Sequence, residues 1–124
     1  MPEEPRPVDQ TRVDKPWGYE LRWAVTDRYL GKVLHVKQGE ALSLQYHERK
    51  DECQYVVNGC VDIELGGPDG TLTTHRMRAG DTLHIPPGTR HRITAIEDTD
   101  IFEVSTPEGE DVVRLSDRYG RAPA

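Results

Sequence analysis

Two stretches of the chain hold the side chains best suited to chemistry. The first reads Gly39-x5-Gln45-x-His47-x4-Glu52-x6-Gly59, and the second Gly80-x5-Pro86-x-Gly88-x2-His91. Gln45 and His47 are two residues apart, so a strand points both to one face. Glu52 opens the next alternating run. His91 follows the Pro86-Pro87-Gly88 turn and belongs to a different strand. Together they offer a carbonyl oxygen, two imidazoles and a carboxylate. Mixed nitrogen and oxygen donors suit one divalent ion per chain, Zn first, with Mn, Fe, Co or Ni also compatible. His35, His75 and His84 fit neither stretch and read as ordinary strand histidines.

The elements that must position these groups are strands. Residues 19–25 and 32–36 alternate in polarity. Further strand candidates are 41–47, 52–57, 60–65, 71–77, 82–86, 91–96 and 100–105. They recur about every 8–12 residues between Gly, Pro, Asn and Asp, which predicts an all-β sandwich or barrel. A short helical turn is expected near 115–119. Asn58-Gly59 predicts a type I′ hairpin, with Val56 facing Val61, Gln54 facing Ile63 and Cys53 facing Glu64. Glu52, Gln54, Val56, Val61, Ile63 and Leu65 then share one face. Cys53 and Cys60 are not aligned to bridge. Residues 1–14 are rich in proline and charge and read as a loose arm. Residues 15–124 read as one domain.

The 124 residues carry 16 Lys and Arg against 22 Asp and Glu, a formal charge of −6. That balance argues against a nucleic-acid partner. No apolar run approaches the ~20 residues of a membrane helix. The opening Met1-Pro2-Glu3-Glu4-Pro5 lacks an apolar segment, and a cytoplasmic location is expected. Apolar residues on both faces of the ligand strands (Leu42, Leu44 and Tyr46, then Tyr55 and Val57) predict that the outer face is covered, by a homodimer partner.

The paired stretches resemble the two motifs of the cupin superfamily. Gln45 stands where the first motif usually has His, and Ala95 stands where the second usually has Asn. Three further runs narrow the likeness: Lys15-Pro16-Trp17-Gly18-Tyr19-Glu20, Leu42-Ser43-Leu44-Gln45-Tyr46-His47, and Asp111 through Arg121, which includes Asp117-Arg118-Tyr119-Gly120-Arg121. Together they resemble the cupin domain of type II mannose-6-phosphate isomerases, from Lys15 to Arg121. The run Glu48-Arg49-Lys50-Asp51 replaces a His-rich basic one, and Gln54 replaces a Trp.

The resemblance implies a double-stranded β-helix, or jelly-roll barrel, holding a metal on Gln45, His47, Glu52 and His91. It implies a small-molecule substrate, a sugar or sugar phosphate, and an aldose–ketose isomerisation. Glu103 is then the candidate base, and Arg114 or Arg121 the cation at the developing oxyanion or at a phosphate. Lys32, Arg49 and Gln54 are candidates for holding substrate. An iron-dependent dioxygenase and a non-catalytic sugar-binding module stay open as alternatives.

Overall fold

The computed structural model describes residues 3–108 and 111–122. Eleven strands follow in chain order: β1 (Thr11–Lys15), β2 (Gly18–Val25), β3 (Leu30–Val36), β4 (Leu44–Tyr46), β5 (Glu52–Asn58), β6 (Cys60–Gly66), β7 (Leu72–Arg78), β8 (Thr82–Ile85), β9 (Arg90–Ala95), β10 (Thr99–Ser105) and β11 (Val113–Ser116). They form two antiparallel sheets. The first has the order β1-β2-β3-β10-β5-β8, the second β11-β4-β9-β6-β7. The fold is an all-β jelly roll. Among the described residues, no helix is long and apolar enough to cross a membrane.

Period-two alternation builds the core. In β5, Glu52, Gln54 and Val56 are buried while Cys53 and Tyr55 are exposed. In β10, Thr99, Ile101, Glu103 and Ser105 are buried while Phe102 and Val104 are exposed. The inward aliphatics Leu34, Val36, Val56, Val61, Ile63, Ile85, Ile93 and Ile101 meet between the sheets. Apolar packing fills one end of the barrel, and polar side chains line the other.

Four expectations change. β5 and β6 do not pair. The flanks of β5 are taken by β10 and β8, and those of β6 by β9 and β7. Asn58-Gly59 is therefore a corner where the chain leaves one sheet for the other. Gly59 has φ +88°, but among the described residues only glycines have positive φ, so Asn58 lacks the conformation that a type I′ turn needs. A Cβ on Gly59 would lie 2.3 Å from Thr99 Oγ1. The Asn58 side chain instead pins the corner to Asp100 on β10. The predicted inward set survives, because it depends on parity and not on partner.

The N-terminal arm is shorter than expected. Thr11–Lys15 pair with Gly18–Arg22, so residues 11–14 belong to the sheet. Their alternation is too brief to stand out from a charged segment. The helical turn expected at 115–119 is strand β11 followed by a turn. The strand expected over 41–47 shortens to β4, and Leu42 faces the polar pocket rather than the outside.

Candidate metal centre

The corner sequences bring four strand regions to one end of the barrel. Gln45 lies on β4, His47 just after it, Glu52 starts β5 and His91 sits on β9. Gln45 and His91 are direct partners across β4 and β9. The Pro86-Pro87-Gly88 turn is tied back by the Gly88 amide, which donates to the His47 carbonyl at 2.7 Å. Gly88 takes φ +82° there. The two sequence motifs thus hold one another.

His47, Glu52 and His91 converge with donor atoms within 4.8 Å of one another, all three buried. Nε2 of His47 and Nε2 of His91 each lie 3.3 Å from Glu52 Oε1. Both rings have their tautomer set from behind. His47 Nδ1 donates to the Asp111 carbonyl, and His91 Nδ1 donates to the Thr89 carbonyl at 2.9 Å. A carbonyl only accepts, so Nδ1 carries the proton and Nε2 presents its lone pair inward. Glu52 Oε1 is buried without a hydrogen-bond partner. Two inward ring nitrogens and a buried carboxylate oxygen without a partner, all within ligand reach of one another, are a donor set that fits a bound cation. Gln45, its Oε1 accepting from Ser43 Oγ at 2.9 Å, stands beside them in the same pocket.

Two charged groups, Lys50 and Glu103, and the amide of Gln54 adjoin this centre. Lys50 Nζ is 3.1 Å from Glu103 Oε2 and 3.6 Å from Glu52 Oε2. Gln54 Nε2 donates to Glu103 Oε1 at 3.3 Å. Burial, and then the neighbouring Glu52 carboxylate, push Glu103 up to about 7. Burial alone would raise Glu52 too, but contacts with Glu103, His47, His91 and Lys50 outweigh it and hold Glu52 well below the usual range. Lys50 is raised, since Glu103 and Glu52 outweigh the cost of burying its charge. A carboxyl near neutrality beside an ionised one is the pattern of an acid–base group.

The pocket holds about 110 Å³ and is lined by both sheets. Gln45, His47, His91, Lys32, Gln54, Glu103, Arg114 and Arg121 all line it, and Glu52 lies beneath. A straight row of partners crosses the first sheet: Arg22, Lys32, Glu103, Gln54 and Leu83. A facing row crosses the second: Arg114, Gln45, His91 and Leu65. Arg121 reaches the pocket but is already held by two hydrogen bonds to Asp117, each 2.9 Å. Arg49 is not brought to the site. It is exposed, and its backbone amide donates to the Asp111 carboxylate. Its odd position points away from the face carrying Glu52 and Gln54.

That parity also marks what the sequence reading passed over. Lys50 is two residues before Glu52 and faces the centre, yet it reads as part of a charged loop. Lys15, Glu20 and Arg22 also line the pocket. Glu20 and Arg22 share an alternating face on β2, but nothing local distinguishes them from surface charges.

The cupin domain family matches residues 32–105. Mannose-1-phosphate guanylyltransferase of Escherichia coli (strain K12) is 35% identical over 117 residues, covering 88% of this chain and 23% of that protein. The chain thus spans under a quarter of that relative's length. Acireductone dioxygenase of Bacillus pumilus is 32% identical over 60 residues, covering 48% of this chain and 34% of that protein. Among solved structures, KdgF from Halomonas sp. is similar with a TM-score of 0.69 at 26% identity, covering 84% of this chain and 92% of that one. A variant of oxalate decarboxylase from Bacillus subtilis shares the fold, with a TM-score of 0.77 at 19% identity over 93% of this chain and 33% of that one. The matched family segment runs from Lys32 to Ser105 and contains Gln45, His47, Glu52, His91 and Glu103. This chain belongs to the cupin family.

Proposed function

We propose that this chain is a metal-dependent aldose–ketose isomerase acting on a sugar or sugar phosphate. The observation that carries the reading is Glu103, a buried carboxyl held by Lys50 and Gln54 that lines the same pocket as His47 and His91. Likeness to a mannose-1-phosphate guanylyltransferase adds sugar chemistry as context. His47, Glu52 and His91, with Gln45 beside them, would hold the ion. A divalent ion there polarises the oxygens on the first two sugar carbons.

The chain's own groups do the rest. Glu103 takes a proton from C2 of the aldose and returns one to C1, while the hydroxyl proton on O2 passes to O1. The exchange balances without an oxidant or reductant. Gln54 and Lys50 fix the two oxygens of Glu103, so the carboxyl meets substrate in one orientation. Lys50 and Arg114 are the cations facing negative charge on the substrate oxygens. Trp17, Leu34, Leu42 and Ile93 keep that end of the pocket dry.

Proton exchange from deuterated water tests this. Aldohexoses and their phosphates are incubated with metal-loaded protein and followed by NMR. Deuterium entering the sugar, with ketose formed, is the expected result. Glu103→Gln should lower the rate by about 10²–10⁴ and leave metal content unchanged. No exchange with any sugar under any of the ions would refute the isomerase.

A second reading, an iron-dependent dioxygenase, is supported by the 60-residue likeness to an acireductone dioxygenase. Oxygen uptake with a diketone or a catechol, in iron-loaded protein, would put it first.

A homodimer is also proposed, through the outer face of the first sheet. Leu21, Val33, Phe102 and Tyr55 form one uncharged row across four strands. Trp23 lies over Gly31 beside it, next to Val104 and Cys53. Trp23, Tyr29, Tyr55 and Phe102 are each about half exposed. Aromatic side chains of ~150–250 Å² each make this a patch of several hundred Å². That is more than a monomer usually leaves open, and a large part of the ~800 Å² each dimer partner contributes. The row meets Arg12 on β1 and Thr82 on β8, so its four central positions carry no charge to repel a second copy.

A further inference from the structure

The two imidazoles of the centre are supported differently. His91 Nδ1 donates to the Thr89 carbonyl, two residues away in the same turn, so its support is local. His47 Nδ1 donates to the Asp111 carbonyl, 64 residues further along the chain. That carbonyl belongs to the closing segment of the chain, residues 111–121, and its place depends on what holds the segment. The Asp111 side chain does so. Its Oδ2 accepts from the Arg49 amide at 2.6 Å and from the Lys50 amide at 3.0 Å, and its Oδ1 accepts from the Glu48 amide at 3.2 Å. One residue therefore grips the chain twice, at the ring of His47 and at the three amides that follow it.

The two grips close a ring. From His47 the backbone runs through Glu48, Arg49 and Lys50, and Asp111 returns it to the His47 side chain. A carbonyl whose own side chain is fixed to the same bend has little freedom to leave the imidazole. Amides donating to a carboxylate form charge-assisted hydrogen bonds, roughly twice as strong as neutral ones. Lys50 is placed by the same bend, and its Nζ reaches Glu103 Oε2 at 3.1 Å and Glu52 Oε2 at 3.6 Å. Beyond the bend, the Asp51 amide donates to Thr106 Oγ1 and the Thr106 amide to the Asp51 carbonyl, each at 3.0 Å. That side is tied to the end of β10, and the other side is tied by Asp111.

We propose that Asp111 is a positioning residue for the metal centre. Through its carbonyl it sets the His47 ring, and through its carboxylate it holds the bend that delivers Lys50 to Glu103. It acts from outside the pocket, which it does not line. It also lies outside the segment matched by the cupin family, residues 32–105, although His47 lies inside it. A partner behind a ligating imidazole fixes its tautomer and orientation and raises its basicity, and losing such a partner costs about 10–100-fold in metal affinity. The inference rests on reading His47, Glu52 and His91 as a metal centre, so its test includes a measurement made without metal.

Cobalt(II) affinity, read from visible absorption during titration, is compared in the parent, Asp111→Ala, Asp111→Asn and Tyr119→Phe. Asp111→Ala should bind about 10–100-fold more weakly. Asp111→Asn keeps a side-chain oxygen for the Arg49 and Lys50 amides and should recover to within about threefold of the parent. Tyr119→Phe loosens the far end of the same segment, where the hydroxyl donates to Glu40 and accepts from the Ala41 amide. It should stay within about twofold of the parent. Nitrogen NMR of the His47 ring in metal-free protein, in mildly alkaline solution, gives the second readout. The parent should carry the proton on Nδ1, and Asp111→Ala should show a mixture of both tautomers. Should Asp111→Ala lose its circular dichroism spectrum, Asp111→Glu, which moves the acceptor by one methylene, takes its place and should bind about tenfold more weakly. Unchanged affinity in Asp111→Ala overturns the proposal. So does an equal loss in Tyr119→Phe, which assigns the effect to the closing segment as a whole. A parent that binds no cobalt refutes the metal centre, and the tautomer of metal-free His47 then decides for or against Asp111 by itself.

Discussion

Lys50 Nζ lies 3.1 Å from Glu103 Oε2, with both side chains buried on neighbouring strand regions of the first sheet. The ammonium lies within 4 Å of two carboxylates, Glu52 and Glu103, inside the barrel. Without it their repulsion would fall on a low-dielectric interior. Lys50→Met should therefore cost about 3–5 kcal/mol, the scale of breaking a buried ion pair from one side. Urea unfolding monitored by tryptophan fluorescence measures it. A loss below about 1 kcal/mol would mean that Glu103 is protonated and needs no counter-ion.

The backbone carbonyls behind His47 and His91 fix both tautomers before any ion arrives. Metal binding should then need little rearrangement. About one equivalent of a divalent ion per chain is expected by elemental analysis of protein purified without chelator. His91→Ala should lose that ion and keep its far-ultraviolet circular dichroism spectrum, because Ile93 and Ile63 still pack beneath it. Unchanged metal content in this variant would rule out the His47–Glu52–His91 ligand set.

Glu20 gives a pH dependence with a definite sign. Burial alone would raise its carboxyl, but Lys32, the Arg22 hydrogen bond and Lys15 outweigh that and hold it below the usual value of 4.5. A depressed folded-state value contributes stability that is present above 4.5 and is lost as pH falls through the folded value. The stability difference between the parent and Glu20→Gln should therefore shrink between about pH 6 and about pH 3. Denaturant titrations of the two proteins at matched pH check it. A difference that stays constant over that range would assign Glu20 a purely packing role.

The uncharged outer row gives a test of assembly. Phe102→Glu places a carboxylate in the middle of the proposed interface. A two-fold contact would bring two such charges together, and the desolvation cost should shift the protein to monomer. Sedimentation at micromolar concentration should find the parent as a dimer and the variant as a monomer. A monomeric parent would remove the dimer.

Much of the site was legible because strand parity is local. The two-residue step from Gln45 to His47, and from Glu52 to Gln54, is a property of the extended backbone and needs no partner. The same step assigns Lys50 inward and Arg49 outward, although Lys50 reads as loop until the bend after His47 is seen to be only a few residues long. Spacing in the two motifs was legible for a related reason. The turn at Gly88 and the corner at Gly59 demand backbone conformations that few residues supply, so the residues needed there are visible in the chain itself.

The corner at Asn58-Gly59 shows the limit of that argument. Two apolar runs around Asn-Gly favour a hairpin, and nothing within the ten surrounding residues says that β10 and β8 take both flanks of β5. Those partners come from 24 to 53 residues further along the chain. The cations lining the pocket have the same origin. Lys15, Arg22, Lys32 and Arg114 are spread over a hundred residues and look like scattered surface charge in an acidic protein. The sequence alone determined which faces are apolar, which residues turn, and which donors share a strand face, because those depend on neighbours two or three residues away. Only the tertiary structure decided which strands lie side by side and which charges meet across the barrel, because those follow from how two whole sheets close over one core.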